Sequence, residues 1–425
     1  MALIGNACWN GLRRLWRVDQ SRLAPVLVLR NDASLMFKDF SFSAVVAGFV
    51  AALIGFTSSV AVIFQATQAL SATPEQTASW LWALGIGLCV SSVVLSFFYR
   101  LPIMIAWSTP GAAVIASAAA EGHLTMPQAV GAFLSCAVMI TVAGFSGGFE
   151  KIMNRLPLPI ASALLAGVLS KFALDAFMTT PTNPLLILSM FLAYVLGRNF
   201  WPRSNVPVIF LLGFLIVIIQ GGFHGNTVPV TFTHPVWVTP EFSFRTLIGV
   251  ALPLFIVTMA SQNLPGVAIF KANGYRPPVS EIIGWSGLTN LVVAPFGGFT
   301  LNLAAITAAF CMGPEAHPDP KKRYIAAMSA GFFYGLMGIF GATIAGLFAA
   351  FPHELVLALA GLALLGTIGS GLAAATSDER YREASVVTFF VVLSGISFVG
   401  IGSAFWGISA GTFVLAVRKI AAMRV

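Results

Sequence analysis

Charged side chains are scarce in this chain: Asp, Glu, Lys and Arg together make up 9% of its 425 residues. Soluble domains carry about 25% charged residues, whereas long apolar stretches with few charges are typical of membrane spans. Hydrophobic residues make up 58% of the sequence, and its mean hydropathy is +0.89. This composition excludes an ordinary soluble protein. Unbroken apolar runs such as Phe42–Ala66 also exclude a membrane β-barrel, whose strands alternate apolar and polar residues.

Motifs for nucleotide binding and metal binding are also missing. Neither a G-x-x-x-x-G-K-[ST] phosphate loop nor an H-E-x-x-H zinc motif occurs in the chain. The five histidines are scattered, and the four cysteines show no metal-ligand spacing. The sequence therefore predicts no enzyme, no cofactor and no metal site. Any transport by this protein must be driven by gradients rather than by ATP.

What the chain does contain is about fourteen apolar segments. They lie near residues 42–67, 78–98, 102–120, 127–148, 157–178, 184–198, 204–221, 244–270, 280–294, 296–312, 323–350, 354–376, 383–398 and 401–420. With the N-terminus inside, 21 of the 23 Lys and Arg residues fall on the cytoplasmic side, and Lys171 and Arg245 are the exceptions. The positive-inside rule predicts such a bias. The net charge of +8 therefore reflects membrane topology, not nucleic-acid binding.

Short similar stretches recur in the same order in the two halves of the chain. The pairs are DFSF (Asp39–Phe42) with EFSF (Glu241–Phe244), STPGAA (Ser108–Ala113) with TLNLAA (Thr300–Ala305), and ALLAGVL (Ala163–Leu169) with LALAGLA (Leu357–Ala363), at offsets of 202, 192 and 194. These pairs suggest two copies of seven spans. Because seven is odd, the second copy must enter from the opposite side of the membrane. Such inverted repeats are the architecture of many secondary transporters.

The repeats divide the chain into four predicted parts. These are a basic cytoplasmic tail over residues 1–41, a first seven-span repeat over 42–221, a periplasmic linker over 222–242 and a second seven-span repeat over 243–421. The tail does not read as a cleavable signal peptide, because Arg13, Arg14 and Arg17 interrupt any apolar run there.

The third span is interrupted by AWSTPGAA at Ala106–Ala113. Only 20 residues separate its ends, Leu101 and Ala120, and Pro110 lies near the middle. A helix of that length barely crosses the ~30 Å hydrocarbon core, so we expect part of the segment to be extended. Irregular backbone at this depth must be buried in protein or line a cavity.

Pro110 suits the first position of a new helix, with Ser108 or Thr109 as its N-cap. The amides of Gly111 and Ala112 would then be free at the positive end of a half-helix, where carboxylates and phosphates bind readily. The alternative is a Pro/Gly kink that only helps packing.

The tenth span repeats this design in PFGGFTLNLAAITAA, with Pro295 and the pair Gly297–Gly298 before the predicted half-helix. Thr300 or Asn302 could cap that half-helix. Inverted symmetry would point the N-termini of both half-helices into one cavity and create an anion site. Here too the alternative is a packing kink.

The eighth span carries TMASQNLPG, in which Gln262 and Asn263 are consecutive amides deep in an apolar segment. Polar residues at this depth usually face the bundle interior and mark a pathway, although they can also simply bond neighbouring helices. Ser59 in the first span is a similar candidate, for which helix contact is the favoured interpretation. Trp107 and Phe299 directly precede the half-helices and could stack on an aromatic substrate.

Five of these stretches resemble the bacterial benzoate–proton symporter family over roughly residues 40–420. They are AWSTPGAA, ALPLFIVTMASQNLPG (Ala251–Gly266), NLAAITAA (Asn302–Ala309), EAHPD (Glu315–Asp319) and GIGSAFWG (Gly400–Gly407). The family is similar, more distantly, to uracil/xanthine permeases and sulfate permeases, which share a seven-plus-seven inverted repeat.

This resemblance implies an all-α membrane protein of the bacterial inner membrane, with both termini in the cytoplasm. Spans 1–4 and 8–11 would form a core domain, and spans 5–7 and 12–14 a gate domain. The substrate would lie between the half-helices of spans 3 and 10, and the core would move against the gate like an elevator, often in homodimers.

In one respect the chain departs from the uracil permeases, which carry acidic residues in spans eight and ten. This chain has Gln262, Asn263, Phe299 and Asn302 there, without a carboxylate. An anionic substrate would be repelled by a carboxylate, but the proton carrier is then unidentified. The candidates are Asp175 and Lys171, which could instead simply pair with each other, and His317, a group that titrates near neutral pH.

The function expected from the sequence is import of benzoate or a related aromatic carboxylate together with protons. The predicted substrate-binding residues are Ser59, Trp107, Thr109, Pro110, Gly111, Ala112, Gln262, Asn263, Phe299, Thr300, Leu301 and Asn302. Transport of another small anion or of a nucleobase is the alternative on the same fold. A channel and an intramembrane enzyme are more remote alternatives.

Overall fold

The computed structural model describes residues 39–122, 124–147, 157–200, 205–222, 229–304, 307–314, 316–396, 398 and 403–422. The predicted tail over residues 1–41 lies outside the described residues up to position 38. Residues from Phe42 onward form one compact unit.

Within its described residues, the first half of the chain contains seven helices and one short strand. They are α1 (Phe42–Ala69), α2 (Pro74–Tyr99), β1 (Ile105–Trp107), α3 (Thr109–Ala120), α4 (Met126–Phe145), α5 (Leu158–Met178), α6 (Pro184–Phe200) and α7 (Asn205–Ile219). Capping boxes explain two of the sharp starts. Thr73 and Gln76 bond each other's backbone amides before α2, and Thr125 and Gln128 do the same before α4.

The second half begins with a composite helix, α8. Its successive segments are Phe244–Thr246, Leu247–Ala251, Leu252–Thr258, Met259–Asn263 and Leu264–Ala272, of which the second and fourth are π-helical turns. The following elements are α9 (Val279–Val293), β2 (Leu301–Leu303), α10 (Ala308–Met312), α11 (Tyr324–Ile339), α12 (Gly341–Ala349), α13 (His353–Thr376), α14 (Glu379–Leu393) and α15 (Ser403–Ala422).

Among the described residues, seven helices are long and apolar enough to cross a membrane, or eight if the bent pair Pro320–Ile339 and Gly341–Ala349 is one span. The predicted polytopic helical membrane protein is therefore confirmed. The number of fourteen spans stays a prediction, because α3, α6 and α7 have only 12, 17 and 15 residues.

The most extensive helix contacts fall into two groups. In one group α2 and α1 pack on α11, α1 also packs on α3, and α4 packs on α9. In the other group α5 packs on α13 and α14, α14 packs on α15, and α6 packs on α7. Glycines allow the close approach within the first group: a Cβ on Gly85 would lie 2.6 Å from the Cα of Gly338, and one on Gly144 would overlap Gly284.

The segment between the two halves is extended where it is described, from residue 229 to 243. It is held by the ends of several helices. Thr233 donates its amide to Ile339 O at 2.8 Å, Val236 donates to the Ser79 hydroxyl at 2.8 Å, and Glu241 donates to Pro127 O at 3.0 Å. The predicted linker therefore runs across one end of α11, α2 and α4.

Candidate functional site

The two broken spans meet through a short antiparallel ladder between β1 and β2. Ile105 pairs with Leu303, Ala106 with Asn302 and Trp107 with Leu301. The ladder extends beyond both strands, because Ser108 N donates to Thr300 O at 3.0 Å and Ala304 N donates to Met104 O at 2.9 Å. Extended backbone inside a membrane protein needs such partners. The predicted extended segment before each half-helix is therefore present, and the two segments provide each other's backbone hydrogen-bond partners.

Ser108 is the N-cap of α3, as the sequence predicts. Its hydroxyl accepts a hydrogen bond from Gly111 N at 3.0 Å, and its carbonyl accepts one from Ala112 N at 2.9 Å. The prediction that the amides of Gly111 and Ala112 are free is therefore wrong, because the cap and the first helical turn occupy them. Both residues are buried, and a Cβ on Gly111 would lie 2.8 Å from Leu254 Cδ1.

The start of α10 differs from the predicted one. The helix begins at Ala308, and Thr307 at its N-cap makes no side-chain cap bond. The prediction that Thr300 or Asn302 caps this helix is wrong, because the Thr300 hydroxyl lies 3.2 Å from that of Thr258 and Asn302 lies in β2. Thr258 also lies 3.2 Å from the Ser108 hydroxyl, and so it connects the entries of both half-helices.

The consecutive amides of α8 point in different directions. Asn263 is fully buried, and its Oδ1 accepts a hydrogen bond from Leu303 N at 2.9 Å. Gln262 instead lines a cavity together with Ser261 and Ala260. The residues from Ala260 to Asn263 all belong to the π-helical turn Met259–Asn263 of α8. Such single-turn π-bulges are frequent at functional sites. Asn263 therefore positions β2, whereas Gln262 is available to a ligand.

The central cavity lies where the two helix groups meet and has a volume of about 680 Å³. It is lined from one side by α1, β1, α3, α8, α10 and α11, and from the other by α5, α7 and α13. Its lining residues are Ile54, Gly55, Ser58, Ser59, Ala106, Trp107, Thr109, Pro110, Ala161, Ser162, Leu165, Val206, Pro207, Ala260, Ser261, Gln262, Pro265, Ala304, Thr307, Phe310, Tyr334, Ala363, Leu364, Thr367, Ser370, Gly371 and Ala374.

The rings of Trp107 and Tyr334 line this cavity, and Phe56, which is not part of the lining, packs against Trp107. The Trp107 ring lies 5.6 Å from both Phe56 and Tyr334, edge to face in each case. Its Nε1 donates a hydrogen bond to the Ser59 hydroxyl at 2.8 Å, which fixes the ring orientation. The Tyr334 hydroxyl lies directly over Gly55, where a Cβ would collide with it. Edge-to-face aromatic walls favour a further ring in the remaining space.

The predicted site residues divide into two sets. Five line the central cavity: Ser59, Trp107, Thr109, Pro110 and Gln262. The other seven are buried behind it and hold the strands and helix starts: Gly111, Ala112, Asn263, Phe299, Thr300, Leu301 and Asn302. Phe299 is fully buried with its ring 5.8 Å from Trp80 and 6.1 Å from Phe133. Its predicted stacking on a substrate therefore has no support from its position.

Asn302 is a special case within the second set. It is fully buried, its Nδ2 donates to Leu303 O at 3.0 Å, and its Oδ1 has no hydrogen-bond partner among the described residues. Sequence reasoning did not identify Tyr334, a hydroxyl-bearing ring in α11 that lines the cavity. The only sequence signal for it is the rarity of Tyr, with 6 residues against 36 Phe.

The predicted proton carriers lie elsewhere. Lys171 and Asp175 line a second cavity, with His353, at the other end of α5. The alternative that these two residues pair stays a prediction: the charge of Lys171 acts on Asp175, but no direct salt bridge between them is found within the described part of the chain. His317 lies in the loop before α11, where its Nδ1 accepts a hydrogen bond from Asp319 N at 2.9 Å.

The chemistry of the central cavity is that of a binding site. Its described lining contains no Asp, Glu, Lys, Arg or His, and its polar groups are hydroxyls and one amide. Ligand pockets commonly combine such an apolar wall with a few placed polar groups. A small aromatic molecule with one polar or anionic group fits this arrangement.

Similar proteins are found at the levels of sequence and fold. A family model described as benzoate membrane transport protein matches residues 38–417. Inner membrane protein YdcO of Escherichia coli is 46% identical over 89% of this chain and 96% of its own length. A benzoate membrane transport protein of Acinetobacter baylyi is 39% identical over 88% of this chain and 94% of its own length.

Among solved structures, the transmembrane domain of the cyanobacterial bicarbonate transporter BicA matches with a TM-score of 0.58, covering 87% of this chain and 97% of that domain at 14% identity. SLC26A9 matches with a TM-score of 0.55, covering 86% of this chain and 65% of that protein at 13% identity. At such low identity these matches establish a common fold.

Proposed function

We infer that this chain, which belongs to the benzoate membrane transport protein family, carries benzoate or a closely related aromatic carboxylate across the bacterial inner membrane. The observation that carries this inference is the central cavity, in which the rings of Trp107 and Tyr334 lie beside a set of neutral hydrogen-bonding groups. A substrate ring would contact these two rings, and a carboxylate would be bound without repulsion from any described acidic side chain.

The carboxylate is placed in this proposal at the start of α3. Thr109, the first residue of that 12-residue helix, lines the cavity next to Pro110. The positive end of the helix dipole favours an anion there, although Ser108 already occupies the amide of Gly111. Gln262 and the Tyr334 hydroxyl are the further donors that line the same space, whereas the Ser261 hydroxyl donates to Val257 O.

Proton coupling is part of the same proposal. A carboxylate that moves alone into the negative interior of a cell works against about 2.3 kcal/mol per charge per 100 mV. A proton carried with each anion removes this cost. The mechanism we propose is alternating access of the elevator type, in which spans 1–4 and 8–11 move against spans 5–7 and 12–14. It is supported by the two helix groups and by the cavity at their boundary.

The experiment that tests this proposal is uptake of labelled benzoate by vesicles that contain the purified protein. We expect an inward proton gradient to stimulate uptake, and uptake that ignores the gradient would contradict the coupling. Unlabelled aromatic acids, small inorganic anions and nucleobases are added as competitors. Inhibition by a nucleobase but not by benzoate would favour the alternative substrate class.

A variant tests the position of the site. Gln262→Ala is expected to raise the benzoate Kd about tenfold, because a hydrogen bond to a charged group contributes about 1.5–3 kcal/mol. Gln220→Ala is the matched control, since Gln220 bonds Asn183 on the protein surface. Equal Kd values for the two variants would place the carboxylate away from α8.

A further inference from the structure

A second cavity of about 320 Å³ is lined by α1, α3, α5 and α13, four of the helices that also line the central cavity. We call it the distal cavity. It is lined by the C-terminal ends of α1, α3 and α5 and by the N-terminal end of α13. Its lining residues are Gln65, Gln68, Ala69, Ala116, Ser117, Ala120, Lys171, Phe172, Asp175, His353 and Leu357.

The two cavities are separated by a constant distance along the chain. On each of the four helices, a step of six residues leads from the lining of one cavity to that of the other. These steps are Ser59 to Gln65, Pro110 to Ala116, Leu165 to Lys171 and Leu357 to Ala363. At 1.5 Å per helical residue the intervening layer is about 9 Å thick.

This layer consists of packed apolar side chains. Ile63, Ile115 and Leu169 are fully buried in it, and Leu359 is 2% exposed. Small neighbours such as Ala360 complete the packing. These packed side chains close the route between the cavities. The distal cavity therefore occupies the opposite end of the interface at which a substrate would pass.

The chemistry of the distal cavity differs from that of the central one. Lys171 is half-buried there without a described ion-pair partner, and His353 lies at the start of the 24-residue helix α13, which has no side-chain cap bond. Lys171 and the helix N-terminus favour an anion, and the His353 ring offers a nitrogen that can donate a hydrogen bond to it. Phe172 offers an apolar wall, whereas Asp175 on the next turn of α5 opposes an anion.

We propose that the distal cavity is a second, weaker binding site for the aromatic carboxylate, in which Lys171 and His353 attract the carboxylate group and Phe172 contacts the ring. Gln65 and Gln68 supply amide donors from α1. This inference rests on the proposed function. With the N-terminus in the cytoplasm, the site faces the periplasm and collects substrate before the apolar layer opens.

Removing the positive charge of Lys171 and removing the negative charge of Asp175 should change the KM for uptake in opposite directions. In vesicles, Lys171→Gln is expected to raise the KM for uptake from the distal side about fivefold, since one charge near the anion is removed in a partly solvated site. Asp175→Asn is expected to lower that KM. The Kd of the central cavity should stay within twofold of that of the unchanged protein in both variants. Lys321→Gln, on the exposed Pro320–Lys322 turn, is the matched control and should change nothing.

Several results would overturn the proposal. These are an unchanged KM in Lys171→Gln, a raised KM in Asp175→Asn, or an equal loss of central-cavity affinity in Lys171→Gln. Lys171→Arg keeps the charge and should retain the normal KM. If Lys171→Gln does not fold, the sign of the change in Asp175→Asn decides alone. Absence of benzoate transport by the unchanged protein would instead contradict the proposed function.

Discussion

The two broken spans look alike in sequence but begin their helices differently. In the third span, Ser108 caps a regular 12-residue helix. In the tenth span, β2 is followed by a helix of five residues, Ala308–Met312, without a side-chain cap bond. The strand of the tenth span is instead held from outside, by Asn263 of α8. One half is stabilised by its own first turn and the other by a neighbouring helix.

This difference teaches that a repeated sequence pattern does not require two equal halves of a binding site. An N-terminus that binds anions needs a regular helix behind it, because the dipole of aligned peptides grows with the number of turns. Of the two half-helices, α3 is the one that provides such a helix next to the central cavity. We therefore expect the α3 half to bind the substrate and the β2 half to support it, and three substitutions test this division.

The largest effect on stability is expected at Asn263. Asn263→Ala removes the acceptor for Leu303 N and leaves a buried amide unpaired, which costs about 1–3 kcal/mol. Thermal unfolding of the purified protein should detect this loss, and benzoate Kd should change little in the fraction that remains folded. Wild-type stability together with lost binding would instead make Asn263 a ligand contact and would remove the difference between the halves.

A smaller effect is expected at Ser108. Ser108→Ala deletes the cap of α3 and should cost about 1 kcal/mol, within the usual range for N-caps. Thr307→Ala is the matched substitution at the start of α10, where no cap bond exists, and should stay within about 0.5 kcal/mol of the unchanged protein. Equal losses in the two variants would show that both half-helices depend on their caps.

The smallest expected effect is on the affinity for the ligand, with no change in stability. Thr109→Val removes a hydroxyl from the cavity at nearly constant shape, and we expect benzoate Kd to rise about fivefold, as for one hydrogen bond. Thr307→Val removes the equivalent hydroxyl on the α10 side and should alter Kd by less than twofold. Calorimetric titration of both variants compares the halves directly, and a greater effect at Thr307 would reverse the assignment.

Much of the fold follows from patterns that depend on local chemistry. The apolar segments mark the helices, Pro110 is the second residue of α3 rather than the predicted first, and Ser108 is the cap of the two, Ser108 and Thr109, that the sequence offers. The family resemblance, carried by short stretches around these positions, is also confirmed. Such features depend on a few neighbouring residues, and so the sequence specifies them directly.

The functional surface is less predictable because it depends on which partner each polar group finds. Gln262 and Asn263 are adjacent in sequence, yet a π-helical turn directs one to the cavity and the other to β2. Phe299 follows a pattern similar to Trp107, but its ring packs against Trp80. Tyr334 reaches the cavity from α11, distant in sequence from both breaks. These choices arise from tertiary contacts that no local pattern contains.

The ladder between β1 and β2 has a consequence for selectivity. Separating the strands would leave several peptide groups without partners in a medium that cannot hydrate them. In any conformational change β1 and β2 are therefore expected to stay paired, and the cavity cannot widen by separation of these two strands. If the cavity binds the proposed carboxylate, a bulkier acid can be admitted only by shortening the side chains that face it, so redesign of substrate selectivity should begin with the lining residues and leave the β1–β2 ladder unchanged.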